Sequence, residues 1–253
     1  MDTTTREETM LLEKKTAVIY GGGGTIGGAM ARAFAAEGAR VFLAGRTPEP
    51  LEAVAADVRA VGGLAETAVV DALDEAAVNG WVDSVAGRAD GIDVSVNMIS
   101  HEALFTPLLD MPTDAFARSL ERVARTYMIT NRAAARHMVE RGSGVILHFG
   151  GGDTTNAMPG LGNVQVGYEL VEAMRRQWAC ELGPRGVRVL TLRTGGIADS
   201  ATDEIGRRMA EGTLLKRTAT LEDVGRVAAF VASDDARTLT STQVNISCGA
   251  LVD

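Results

Sequence analysis

The chain has 253 residues and a formal net charge of −8, a balance that disfavours a general nucleic-acid or anionic-membrane surface. A hydrophobic share of 46% can supply a sizeable core, while aromatics at 4% leave most packing to Ala, Val, Leu and Met. Cys180 and Cys248 have no metal-ligand spacing and suggest no disulfide scaffold, so both read as reduced core residues; no run approaches the roughly 20 apolar residues that span a bilayer.

Residues 1–15 are polar and mixed in charge, without an apolar signal region, and read as a flexible tail of a cytoplasmic protein. Residues 16–253 then form one domain, with no linker, repeat or low-complexity stretch. Short runs rich in Val, Ile and Leu at 16–20, 40–44, 65–70, 92–96, 145–149 and 187–192 predict strands of a parallel sheet buried on both faces. Longer stretches at 26–37, 50–61, 74–88, 113–141, 166–182 and 221–232 predict helices, and 243–247 a last strand. Gly38, Gly62, Gly142 and Gly183 stand where helices stop, and Pro48, Pro50 and Pro112 near helix starts. Repeated β-α units imply right-handed crossovers and therefore a Rossmann-type doubly wound α/β fold.

The first strand runs into Gly21-Gly22-Gly23-Gly24-Thr25-Ile26-Gly27-Gly28, in which Gly22, Gly24 and Gly27 satisfy G-x-G-x-x-G. Small residues there let the backbone turn tightly and approach a pyrophosphate at a helix N-terminus. A strand before the turn and a helix after it make nucleotide binding the better reading than a bare glycine loop. About 20 residues on, where an NAD site places an acid on the ribose 2′-hydroxyl, the chain has Gly45, Arg46 and Thr47. Arg46 can pair with a 2′-phosphate, which favours NADP(H) over NAD; the alternative is a solvated strand-end arginine.

Over essentially its whole length the sequence resembles the short-chain dehydrogenase/reductase family. The resemblance rests on the glycine turn, Val70-Asp71-Ala72, Val94-Ser95-Val96-Asn97, the Cys180–Val189 segment with its Glu181-Leu182-Gly183-Pro184, and the closing Gln243–Gly249 stretch. It implies adenine near Asp71 and Ala72, a cofactor role for Asn97, and a nicotinamide-side loop at Gly195 and Ile197. It also implies a small-molecule substrate and a homotetramer or homodimer packed through the fourth and fifth helices, 113–141 and 166–182.

The departures fall at the chemistry. Counting back from Glu181 places the family's tyrosine at Val164, its lysine at Tyr168, its serine at Gly151 and its asparagine near Val123. The family tyrosine moves a proton to or from the substrate oxygen, and valine carries none. Tyr168 shares a helix face with position 164; it either supplies a proton or, the favoured alternative, fills the space of the lysine. His101 and Asp153 follow the fourth and fifth strands and are further candidates, whereas His148 reads as a core residue and His137 as part of a solvated face. No metal site is expected. These residues are compatible with an NADP(H)-dependent oxidoreductase using a non-standard proton donor, with a non-redox cyclase, dehydratase or isomerase on the same scaffold, or with an inactive NADP-binding subunit. The 199–215 segment is expected to shape the substrate pocket.

Overall fold

The computed structural model describes residues 10–99, 101–151, 157–197 and 204–251. Seven parallel strands form one sheet in the order β3-β2-β1-β4-β5-β6-β7. They are β1 (Thr16–Tyr20), β2 (Arg40–Gly45), β3 (Leu64–Val69), β4 (Val94–Asn97), β5 (Gly144–Gly151), β6 (Val187–Thr194) and β7 (Gln243–Asn245). The helices are α1 (Thr25–Ala36), α2 (Pro48–Ala60), α3 (Glu75–Ala89), α4 (Thr113–Arg141), α5 (Gly162–Leu182), α6 (Glu204–Gly212) and α7 (Leu221–Ala232).

Alternate residues of each central strand enter opposite cores. Ala17 and Ile19 of β1 pack with α1, α2 and α7, while Val18 and Tyr20 pack with α3, α4 and α5. This explains why the strands read as unbroken apolar runs: both faces are covered. Strand order reverses between β1 and β4, which opens a crevice at the carboxyl ends of the strands.

Several local expectations change. The predicted tail extends to residue 15, but residues 11–14 form a turn that docks Leu12, fully buried, against the α1 core, with its N–H donating to Glu37 O at 2.9 Å. Helix α5 begins at Gly162 rather than 166, and the 199–215 segment contains α6. His137 is not merely a solvated residue, since its Nε2 lies 2.8 Å from Asp83 Oδ1. Arg136 also reaches Asp83, and Arg132 pairs with Glu75, so this face of α4 is tied to α3. Cys180 is exposed rather than buried in the core, and both cysteines are free.

Candidate functional site

The glycine turn is built by steric necessity. Gly21 has φ +74°, and a Cβ there would stand 2.9 Å from Met98 O. A Cβ on Gly27 would meet Gly21 O at 2.4 Å, so the first turn of α1 fits under the loop only without one. The Gly21 and Gly22 N–H groups donate to Ala44 O at 2.8 and 3.3 Å, pinning the turn to β2. Gly24 caps α1 without a side-chain hydrogen bond, leaving the helix N-terminus accessible to an anionic group.

A cavity of about 340 Å³ lies along this turn. Of the residues expected to hold a cofactor, Gly21, Gly24, Arg46, Thr47, Asp71 and Ala72 line it. Gly22, Thr25, Ile26, Asn97, Gly195 and Ile197 do not. Arg46 is exposed at the rim and has no ion pair among the described residues. Asp71 Oδ1 accepts from Leu73 N at 3.0 Å, which fixes the carboxylate beside the cavity. Asn97 is turned inward instead: its Nδ2 donates to Thr130 Oγ1 at 3.1 Å and its Oδ1 accepts from Ile99 N at 3.0 Å, so its side chain braces the loop after β4. Gly195 packs closely on the 247–251 segment, and Ile197 bridges to Ala219.

The cavity also contains residues without a recognisable motif in the sequence: Tyr20, Met98, Ile99, Arg122 and Thr126. Tyr20 Oη and Arg122 Nε are buried without a hydrogen-bond partner among the described residues. A glycine cradle that a Cβ would fill, Arg46 without an ion pair among the described residues and an orphaned hydroxyl on the lining residue Tyr20 fit a phosphate-bearing dinucleotide.

At the ends of β4 and β5, two of the three candidate catalytic residues meet. The His101 and Tyr168 rings lie 4.6 Å apart between centroids, tilted by 33°. Gly167 of α5 makes room, since a Cβ there would stand 3.2 Å from His101 Nδ1. The 101–111 segment is held over α5 by Asn163, whose Nδ2 donates to Glu102 O at 2.7 Å and whose Oδ1 accepts from Leu104 N at 3.4 Å. Tyr168 also borders Gly150 near the end of β5, with its Cδ1 3.9 Å from where a Cβ would be. Val164 and Val123 are both buried. Asp153 lies outside the described residues.

Both His101 ring nitrogens lack a partner among the described residues, and burial lowers its pKa to about 4. It is therefore neutral near pH 7. Behind the pair is a buried polar layer. Tyr127 Oη donates to Phe149 O at 3.2 Å, and Asn131 Nδ2 donates to His148 Nε2 at 2.8 Å. Glu172 and Arg175 form an ion pair at 2.8 Å with both side chains only 7% exposed. His148 is pushed down to about 3 by burial and, secondarily, by the Arg175 charge. No group of three or more metal-ligating side chains occurs among the described residues.

Comparison with known proteins agrees with this geometry. The profile of the family described as enoyl-(acyl carrier protein) reductase matches residues 23–250. The chain is 33% identical over 236 residues to the oxidoreductase asL5 of Sarocladium schorii, covering 88% of this chain and 90% of that one. It is 28% identical to the short-chain reductase protein NovJ of Streptomyces niveus, covering 88% and 89%. Among solved structures, an NAD+-bound xylitol dehydrogenase superposes with a TM-score of 0.86 at 25% identity, covering 94% of this chain and 99% of that one. The fold, the glycine cradle and these relatives together place the chain in the short-chain dehydrogenase/reductase family of oxidoreductases.

Proposed function

We propose that this protein is an NADP(H)-dependent oxidoreductase of a small-molecule carbonyl or alcohol, with Tyr168 in place of the family's usual proton donor. The His101–Tyr168 ring contact carries the reading, because it brings a tyrosine ring and a neutral imidazole together near the ends of β4 and β5. Gly21, Gly24, Arg46, Thr47 and Asp71 would hold NADPH, which when bound would supply the hydride for the carbonyl carbon. Tyr168 gives its hydroxyl proton to the carbonyl oxygen, and His101 fixes the orientation of the phenol ring through their tilted ring contact. In the opposite direction Tyr168, having first lost its proton to solvent, would take the alcohol proton while the hydride leaves to NADP+. Arg46 supports the choice of NADP(H), since its charge is uncompensated within the described structure. Exposed Phe105, Leu108 and Leu109, in the same 101–111 segment as His101, support a substrate with an apolar body.

With saturating NADPH and a panel of ketones and aldehydes, Tyr168→Phe should lower kcat about 10²–10⁴-fold while leaving NADPH affinity unchanged. Full retention of kcat would exclude Tyr168 as the donor. The unpartnered neutral His101 favours a second reading, in which a proton is moved without hydride transfer, as in an isomerase or dehydratase. Full turnover without any dinucleotide would select it. A cytoplasmic homodimer or homotetramer also belongs to this reading; Met128 of α4 and Val166 of α5 are exposed and supply apolar surface for such contacts. Among the described residues no helix is long and apolar enough to cross a membrane.

A further inference from the structure

Tyr20 ends β1, immediately before the glycine turn, and its ring is 1% exposed. The ring packs edge-on against Trp81 of α3, with centroids 5.3 Å apart and planes at 76°. Its hydroxyl has no hydrogen-bond partner among the described residues, although Tyr20 lines the cavity along the turn. Burial raises the hydroxyl's pKa above that of an ordinary tyrosine, so the group is a protonated donor at any working pH. Phenylalanine would fill the same ring space without leaving an oxygen unpaired. An orphaned buried hydroxyl destabilises the empty protein unless something entering the cavity pairs with it.

The residues that line the cavity together with Tyr20 restrict the occupant. Asp71 offers a carboxylate acceptor, while Ala72 and Ile99 offer apolar surface to a flat ring. A carboxylate acceptor and a hydroxyl donor on residues of one cavity complement a heteroaromatic edge that carries an exocyclic amine and a ring nitrogen. We propose that Tyr20 is a base-recognition residue, donating its hydroxyl hydrogen to a ring nitrogen of the adenine while Asp71 accepts from the exocyclic amine. The inference rests on the dinucleotide reading above and adds to it a residue from the sheet floor.

Calorimetry with NADP+ and with its analogues bearing CH in place of adenine N1, N3 or N7 tests the proposal, alongside the thermal midpoint of the ligand-free protein. Tyr20→Phe should hold or raise the ligand-free midpoint and weaken NADP+ binding about 5–10-fold, as expected for one lost hydrogen bond. One of the three analogues should bind the unsubstituted protein weaker by a similar factor, and Tyr20→Phe should not distinguish that analogue from NADP+. Equal NADP+ affinity of the two proteins, or equal affinity of the unsubstituted protein for all four ligands, would overturn the role of Tyr20. The analogue series on the unsubstituted protein tests that role even if the variant fails to fold. Failure of the unsubstituted protein to bind NADP+ at all is a separate result, which removes the dinucleotide reading itself.

Discussion

A guanidinium at the end of a strand, with water on one side and a cavity on the other, keeps its charge available to a ligand only if no carboxylate claims it first. Arg46 satisfies that condition: it lines the cavity and has no ion pair among the described residues, unlike Arg40, which lies 3.6 Å from Glu66. Its exposure means that salt will screen the interaction. Arg46→Ala is therefore expected to weaken NADP+ binding about 10-fold at low ionic strength, with NAD+ binding nearly unchanged. Titrating both dinucleotides at two salt concentrations checks this, and an equal loss for both would remove Arg46 from 2′-phosphate recognition. Arg46 is legible in the sequence because motif spacing fixes its place. Tyr20 and Arg122 are not: their importance comes from unpaired polar atoms on residues that line one cavity, a property of packing rather than spacing. A weaker signal does exist for Tyr20, since a tyrosine in an otherwise apolar buried strand raises the question of where its hydroxyl is satisfied.

Elements with strong periodicity and clear stops are legible in the sequence. Helix α4 ends at Gly142 with φ 69°, and α7 begins at Thr220, whose side chain accepts from Asp223 N while Asp223 reciprocates. Sequence alone delimits both because their caps are local. It does not delimit the start of α5, because Gly162 and Gly167 lower helix propensity. Their helical placement follows from tertiary crowding: a Cβ at Gly162 would meet Leu108 Cδ2 at 2.6 Å, and Gly167 faces His101. Glycines of this kind differ from those that merely cost entropy, and a pair of substitutions separates them. Gly27→Ala must displace the turn, since its Cβ would stand 2.4 Å from a backbone oxygen; it should cost about 1–3 kcal/mol and abolish NADP+ binding. Gly80→Ala, in α3 with nothing within 4 Å, should instead stabilise by up to about 1 kcal/mol. Chemical denaturation of both ligand-free variants measures the contrast; a Gly27→Ala protein as stable as its parent would show that the cradle is slack.

Across the whole molecule the two faces of the sheet have different contents. One side is an almost wholly apolar core with α1, α2 and α7, whereas the α4–α5 side carries the polar layer of Tyr127, Asn131, His148, Glu172 and Arg175. Because Asn131 donates to His148 Nε2, the neutral ring carries its proton on Nδ1, which is buried without a partner among the described residues. Protonating Nε2 would forfeit that hydrogen bond and place a second buried cation near Arg175, with which Glu172 is already paired. His148 and His101 therefore have folded pKa values depressed to about 3 and about 4, against 6.5 when unfolded. Between those values the unfolded chain binds more protons than the folded one, so stability rises with pH. The contribution of both rings is complete above about pH 6.5 and is lost progressively as pH falls from 6.5 toward 4. Thermal midpoints should accordingly change little from pH 7 to 8 and fall between 6.5 and 4. His148→Gln keeps a polar group in the layer but cannot take up the proton, and it should flatten that fall. If the midpoint of the His148→Gln protein falls as steeply as that of the parent, acid destabilisation originates in the carboxylates rather than in the buried layer behind Tyr168.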